Sequence, residues 1–342
     1  MLNPILLELS LKKVGFTTTI PVEIPLAAGW IPVDLNNRFI TSDDPLFHIR
    51  RAERDGLPRN CCAWIKGIYG VVMESPDLDA VVMVTQGDCS NTHALSSLLR
   101  HRCPELRQIL FGYPYPRNPE ELDRAMDDLC QSFGTTLGEA EKTMRDLEPL
   151  RHKLRIIDDL TWREGTVTGE ENHLALVSAT DFNSDPTKFE SFLDEILARA
   201  SSRDIFAADS VVRLGIAGVP PLFTDFYQKI DSLGGRVVYN ELSRQFAMIG
   251  GQDNLVERYF AYTYPYSFHG RVRDIRAEAG RRKLHGVISY VQSFCFRQLE
   301  QTILKDLVGL PVLTVEASDP GPVDSRTVMR LEAFIDMIQE SR

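Results

Sequence analysis

Short apolar, β-branched runs alternate nearly from end to end with longer segments whose apolar residues recur every three or four positions. Such alternation is that of βαβ units, which predicts a mainly parallel sheet with helices on its faces. Strands are expected near Thr17–Ile20, Ala80–Thr85 and Gln108–Gly112 in the first half. In the second half they are expected near Leu174–Ser178, Val211–Ile216, Arg236–Tyr239, Gly286–Val291 and Val312–Val315. From Pro119 to about Trp162 the chain is polar, with Leu122, Met126, Leu129, Leu137, Ala140, Met144 and Leu147 at helical spacing, so long helices are expected there. The expected architecture is α/β: two Rossmann-like, doubly wound parallel-sheet domains, at 1–118 and 166–342, with a helical connector at 119–165.

The two halves share a local pattern. Asp79-Ala-Val-Val-Met-Val-Thr-Gln-Gly-Asp-Cys89 and His285-Gly-Val-Ile-Ser-Tyr-Val-Gln-Ser-Phe-Cys295 each read as strand, cysteine, helix, and a further strand follows each. A duplicated plan would produce this, and so would any two βαβ units.

Composition narrows the function. At 342 residues the chain is long for one core, which favours two compact halves. A formal net charge of −10 argues against a phosphate-backbone partner, which needs clustered cations, so no nucleic acid is expected. The opening Met1-Leu-Asn-Pro-Ile has no basic stretch ahead of a long apolar run, and no later run approaches the roughly 20 apolar residues of a bilayer span. A cytoplasmic protein without membrane contact is expected. Six cysteines are too few for a disulfide framework and suit a reducing compartment.

The positions of those cysteines carry the chemistry. Cys89 and Cys295 each follow an apolar strand, and open α/β sheets bind ligands at the carboxyl ends of strands. Cys61 and Cys62 open a segment that reads as a helix start, where the thiolate is favoured; one of the two is a plausible third metal ligand. Three thiolates from such distant places cannot form a zinc ribbon, but could clamp a cluster between two domains. The plain alternative is that they are small buried hydrophobes. Cys103 and Cys130 fall in helical stretches and read as packing residues. Gly215-Ile-Ala-Gly218-Val-Pro-Pro221 invites a phosphate-loop reading, yet Pro220 and Pro221 remove two N–H donors, so a structural turn is expected. Tyr113-Pro-Tyr-Pro116 lines a pocket or stiffens a loop. His93 and His269 are expected to be surface or structural residues rather than acids beside a cluster.

With these segments in place, the chain resembles the D-component-like subunits of 2-hydroxyacyl-CoA dehydratases and the related benzoyl-CoA reductase and double-cubane proteins. The resemblance is carried by Pro21-Val-Glu-Ile-Pro-Leu-Ala-Ala-Gly-Trp-Ile-Pro32, Cys61 or Cys62 before a helix, and Asp79 to Cys89. It continues through Leu214-Gly-Ile-Ala-Gly, Leu233-Gly-Gly-Arg-Val-Val, Gly286 to Cys295, Gly309-Leu-Pro-Val-Leu and Ser325 to Phe334, in order along nearly the whole chain. It implies a four-iron four-sulfur (4Fe-4S) cluster on Cys61 or Cys62, Cys89 and Cys295, with one iron left for another ligand. It also implies a homologous subunit in a homo- or heterodimer, an ATP-dependent iron–sulfur activator that delivers one low-potential electron, and reduction of an acyl-CoA thioester to a ketyl radical. The chain departs from the pattern in three places. Ser90, not an acid, follows Cys89; Arg258 to Tyr266 holds no cysteine, which disfavours a double cubane; and Val323-Asp-Ser-Arg-Thr lacks a glutamine. These departures leave two further readings: an iron–sulfur electron carrier or small-molecule reductase of the same fold that never binds CoA, and a metal-free α/β binding protein.

Overall fold

The computed structural model describes residues 11–87, 89–205, 211–266 and 268–342. The opening segment Met1–Ser10 and Asp88, which the resemblance quotes beside Cys89, lie outside the described residues.

Among the described residues eight strands form two parallel sheets. The first contains β1 (Lys13–Phe16), β2 (Ile31–Asp34), β3 (Ala80–Gln86) and β4 (Arg107–Gly112) in the order β2-β1-β3-β4. The second contains β5 (Val212–Gly218), β6 (Gly235–Asn240), β7 (Gly286–Gln292) and β8 (Val312–Ala317) in the order β6-β5-β7-β8. The sheets have the same topology, the result a duplicated plan gives. Ala80-Val-Val-Met-Val84 and all of β7 are buried, because helices cover both faces of central parallel strands and leave no polar side to the sequence.

Three expectations are corrected. The run Thr17–Ile20 lies just past β1 as a buried loop, and the strand is Lys13–Phe16. Strand β2 was not expected: it is only four residues long and contains Pro32, which a sheet tolerates at its edge, where β2 lies. Leu174–Ser178 is not a strand but falls in the helix Gly169–Val177 and the turn after it. Its start is set by a capping box, in which Thr168 accepts from the Glu171 N–H and the Glu171 carboxylate accepts from the Thr168 N–H. In the run Leu174-Ala-Leu-Val, Ala175 and Leu176 are buried while Leu174 is exposed, so apolar residues on more than one face hid the helical period.

The stretch from Pro119 is helical as expected: Pro119–Phe133, Leu137–Asp146 and Glu148–Asp159. The last of these packs Leu150, Leu154 and Ile157 against Phe189, Leu193 and Ile196 of the helix Pro186–Ser201, in one apolar cluster with Ala175 and Leu176. The division at 119 and 165 stands as a proposal, with the helices at 169–177 and 186–201 sharing the connector's core.

Buried charges join these layers. Arg282, fully buried, pairs with Asp158 at 2.6 Å and Glu278 at 2.7 Å and donates to the Val238 carbonyl. Arg151 pairs with the buried Glu23, whose other oxygen accepts from the Tyr259 hydroxyl at 2.8 Å. Removing one member of such a pair leaves a buried charge uncompensated, at a cost of about 3–5 kcal/mol.

Candidate functional site

The carboxyl ends of the strands face a common cavity of about 640 Å³. Its wall is built from the residues that follow β1 (Thr17–Thr19), β2 (Asn36, Asn37), β3 (Cys89), β5 (Val219–Thr224), β6 (Leu242), β7 (Cys295–Arg297) and β8 (Pro320). Both sheets therefore aim their ligand-binding edges at one space, the place where open α/β sheets carry their sites.

Cys62, Cys89 and Cys295 all line it. Each caps the N-terminus of a helical element: Cys62 that of Ala63–Met73, Cys89 that of Ser90–Arg102, and Cys295 the 3₁₀ turn Phe296–Leu299. The exposed N–H groups of a helix start favour a sulfur anion. The main-chain N–H groups of Ile65 and Trp64 work to lower the Cys62 thiol, and that of Arg297 works to lower Cys295, although neither sulfur makes a capping hydrogen bond. The position of Cys62 is set by close packing of its helix. A Cβ on Gly67 would lie 2.5 Å from the Phe39 ring, and one on Gly70 would lie 2.3 Å from the His48 carbonyl oxygen.

Burial pushes the Cys62 thiol up to about 12, and the proximity of Cys295 and Cys89 adds to the rise. Burial likewise raises Cys295, against the pull of the Arg297 N–H and guanidinium. Cys62 thus feels both other sulfurs across the cavity. Cys61 is not among the lining residues; it packs at the edge of an apolar cluster, and burial raises its thiol as well.

Among the described residues no group of three or more His, Cys, Asp and Glu is gathered tightly enough to hold a metal ion. A polynuclear cluster binds each cysteine to a different iron and so holds its ligands farther apart than one ion does. A roomy cavity bordered by three helix-capping thiols, each drawn from a separate segment, fits that donor set.

Other sequence candidates are placed elsewhere. Cys130 is in the core, and the Cys103 sulfur lies 3.4 Å from that of Met73. His93 and His269 are exposed and do not line the cavity. The turn after β5 is structural. Gly218 has φ +110°, a Cβ there would meet the Tyr290 carbonyl oxygen at 2.0 Å, and its N–H already donates to the buried Glu241 carboxylate at 3.1 Å. A protein carboxylate, itself held by Arg271, occupies the donor a phosphate would need. Tyr113 is buried, with its hydroxyl donating to the Thr19 carbonyl at 2.8 Å.

Three polar residues of the wall escaped the sequence reading. His173 stacks on Tyr227 at 5.5 Å with Nδ1 2.8 Å from the Ser243 hydroxyl, and burial pushes it down to about 4, so its ring is neutral at neutral pH. Asp34 and Asp181 are both buried, and the Asp34 N–H donates to Asp181 Oδ2 at 2.8 Å. Burial raises both, and Asp181, with Asp34 beside it, reaches about 7. Asp181 opens a turn in which Phe182, Asn183 and Ser184 all have positive φ, a costly backbone for residues with a side chain. No periodicity marks these positions, because they meet only through contacts between β2 and the helical layer.

A family model described as 2-hydroxyglutaryl-CoA dehydratase, D-component, matches residues 17–338. The chain belongs to that family. The match takes in β2 to β8, the helical layer and all three cavity cysteines, and begins at the residue after β1. As a D-component-family member the chain is a dehydratase-like enzyme component, one that works with partner subunits. No curated protein matches it. Among the described residues no helix is long and apolar enough to cross a membrane.

Proposed function

We propose that this D-component-family chain is the iron–sulfur subunit of a 2-hydroxyacyl-CoA dehydratase-like enzyme, with Cys62, Cys89 and Cys295 holding a 4Fe-4S cluster between the two sheets. The observation that carries this reading is the convergence of three cysteines, separated by up to hundreds of residues in sequence, on one cavity at the carboxyl ends of both sheets. When bound, the cluster supplies one-electron chemistry, with an open iron position for an acyl thioester. The electron comes from an ATP-dependent iron–sulfur activator, and the enzyme acts in the cytoplasm.

The chain's own residues do the rest. The helix caps at Cys62, Cys89 and Cys295 present N–H groups to the sulfurs, which stabilises their anionic form. The apolar wall formed by Trp64, Ile65, Ile68 and Leu222 keeps water from the sulfurs, and this dry surround tunes the potential of the group they hold. His173 offers a neutral, oriented imidazole to a polar group of the substrate. Asp181 holds a carboxyl that is half protonated near neutral pH and can give or take a proton at a carboxylate oxygen.

Anaerobic purification with iron and sulfide analysis tests the reading. About four irons per chain, with an electron paramagnetic resonance signal on reduction, is the expected outcome. Iron-free protein after reconstitution, or iron retained in full by Cys295→Ser, would refute it.

A further inference from the structure

The charges of the cavity wall indicate which acyl group it takes. Among the described residues three cations line the cavity, Lys13, Arg38 and Arg297, and each is engaged by a carboxylate. Lys13 Nζ and Arg38 Nη2 lie 3.0 and 2.9 Å from Asp77 Oδ2. The Arg38 hydrogen bond, then Lys13, holds that carboxyl down to about 2, and the Lys13 main-chain N–H donates to Asp79 at 2.8 Å. Arg297 lies 3.1 Å from Glu300 and rests its guanidinium over the Tyr264 ring at 4.1 Å. His173 adds no charge, since burial keeps it neutral. The remaining charged residues of the wall are acids: Asp34, Asp181 and Glu170.

The apolar part of the wall is open. Leu174 is 42% exposed and Phe296 48% exposed, although both line the cavity. Val177, Pro221, Leu222 and Phe246 continue the surface. Large apolar side chains left unpacked around a concave site are matched by apolar ligand surface.

We propose that the cavity takes acyl thioesters whose acyl chain ends in an uncharged, apolar group, and disfavours dicarboxylic acyl chains such as glutaryl. The proposal rests on the acyl-thioester reading above. A second carboxylate in the cavity would lose its water, lie near Glu170 and the buried Asp34–Asp181 pair, and find the cations of the described wall already engaged, Lys13 and Arg38 by Asp77 and Arg297 by Glu300. An apolar terminus gains about fourfold in affinity for each methylene removed from water.

The test uses the cluster-loaded protein under anaerobic conditions. Equilibrium binding is measured with hexanoyl-CoA, 3-phenylpropanoyl-CoA, glutaryl-CoA and CoA alone, none of which carries the leaving hydroxyl. Hexanoyl- and phenylpropanoyl-CoA are expected to bind about tenfold or more tightly than glutaryl-CoA. Equal or tighter binding of glutaryl-CoA overturns the proposal while leaving the acyl-thioester reading standing. Failure of all four probes to bind rejects that reading, and the proposal with it. Leu174→Arg adds a cation to an exposed position of the wall, one helical turn from Glu170. With iron content unchanged, it should narrow the preference by about tenfold, by improving glutaryl-CoA and weakening hexanoyl-CoA. An unchanged ratio in iron-replete Leu174→Arg counts against the proposal. Phe296→Ala should weaken hexanoyl-CoA without changing glutaryl-CoA, and an equal loss for both would also count against it.

Discussion

The two sheets share a strand order, yet they bring different numbers of cysteines to the cavity. Cys89 follows β3 and Cys295 follows β7 at the same distance, three residues past the strand end, and β3 and β7 hold the same place in their sheets. Each half then runs three helices between its second and third strands: Leu35–Ile40, Pro45–Arg54 and Ala63–Met73 in the first, Glu241–Phe246, Leu255–Phe260 and Phe268–Arg282 in the second. The third helix of the first half begins at Cys62. Its counterpart follows Tyr264-Pro-Tyr266, whose rings are buried in the first half's core. A repeated backbone thus presents a 2:1 set of thiols, and Tyr264 and Tyr266, ahead of the counterpart helix, pack in the core of the first half.

The largest effect is expected from the equivalent cysteines. Cys89→Ser and Cys295→Ser should each reduce iron to near zero, whereas Cys61→Ser should retain it, as read by iron analysis of anaerobically reconstituted protein. Unequal loss between Cys89 and Cys295 would break the proposed equivalence of the halves. Next in size is Arg282→Ala, which takes the nearest cation from the buried Asp158 and leaves Glu278 to Arg281 and Arg244; it should cost about 3 kcal/mol in denaturant unfolding. The third-helix pair separates the halves more finely. Gly70→Ala forces a Cβ against the His48 carbonyl and should cost about 1–3 kcal/mol. Gly280→Ala, in the counterpart helix with nothing within 4 Å, should gain about 0.5–1 kcal/mol. If both stabilise, the first half's helix is not as tightly seated as its glycines require.

The smallest effect concerns pH. Asp181 rises from an ordinary 3.8 to about 7 through burial and the neighbouring Asp34. The folded state therefore holds a proton that the unfolded chain releases, so its contribution to stability is complete below pH 3.8 and declines as pH rises to about 7. Asp34→Asn keeps the oxygen that caps Asn36 and Asn37 and removes the like charge. Its melting temperature should fall less than that of the wild type between pH 5 and 8, by up to about 1 kcal/mol of stability per pH unit. Parallel melting curves would show that the two carboxyls do not repel.

Where the sequence reading succeeded and failed follows from what each element packs against. Central strands β3, β5 and β7 were legible because burial on both faces demands unbroken apolar runs. The helices from Pro119 were legible because one face meets solvent. Edge strand β2 and the helix Gly169–Val177 were not: the first is short and carries a proline, and the second has the exposed Leu174 beside the buried Ala175 and Leu176, although the Thr168–Glu171 capping box announced it. In the site, Cys89 and Cys295 stood out through their strands, but Cys61 and Cys62 were indistinguishable.

What the sequence determined by itself is local: where an apolar run ends, which thiol follows it, and the order of segments that places the chain in its family. Only the tertiary structure decided that Cys62 rather than Cys61 faces the cavity, that Asp34 meets Asp181 across 147 residues, and that Lys13, Arg38 and Arg297 of the wall are each held by a carboxylate. Those outcomes depend on the angle at which separate layers pack. That angle is fixed by contacts between residues far apart in the chain, which no local pattern encodes.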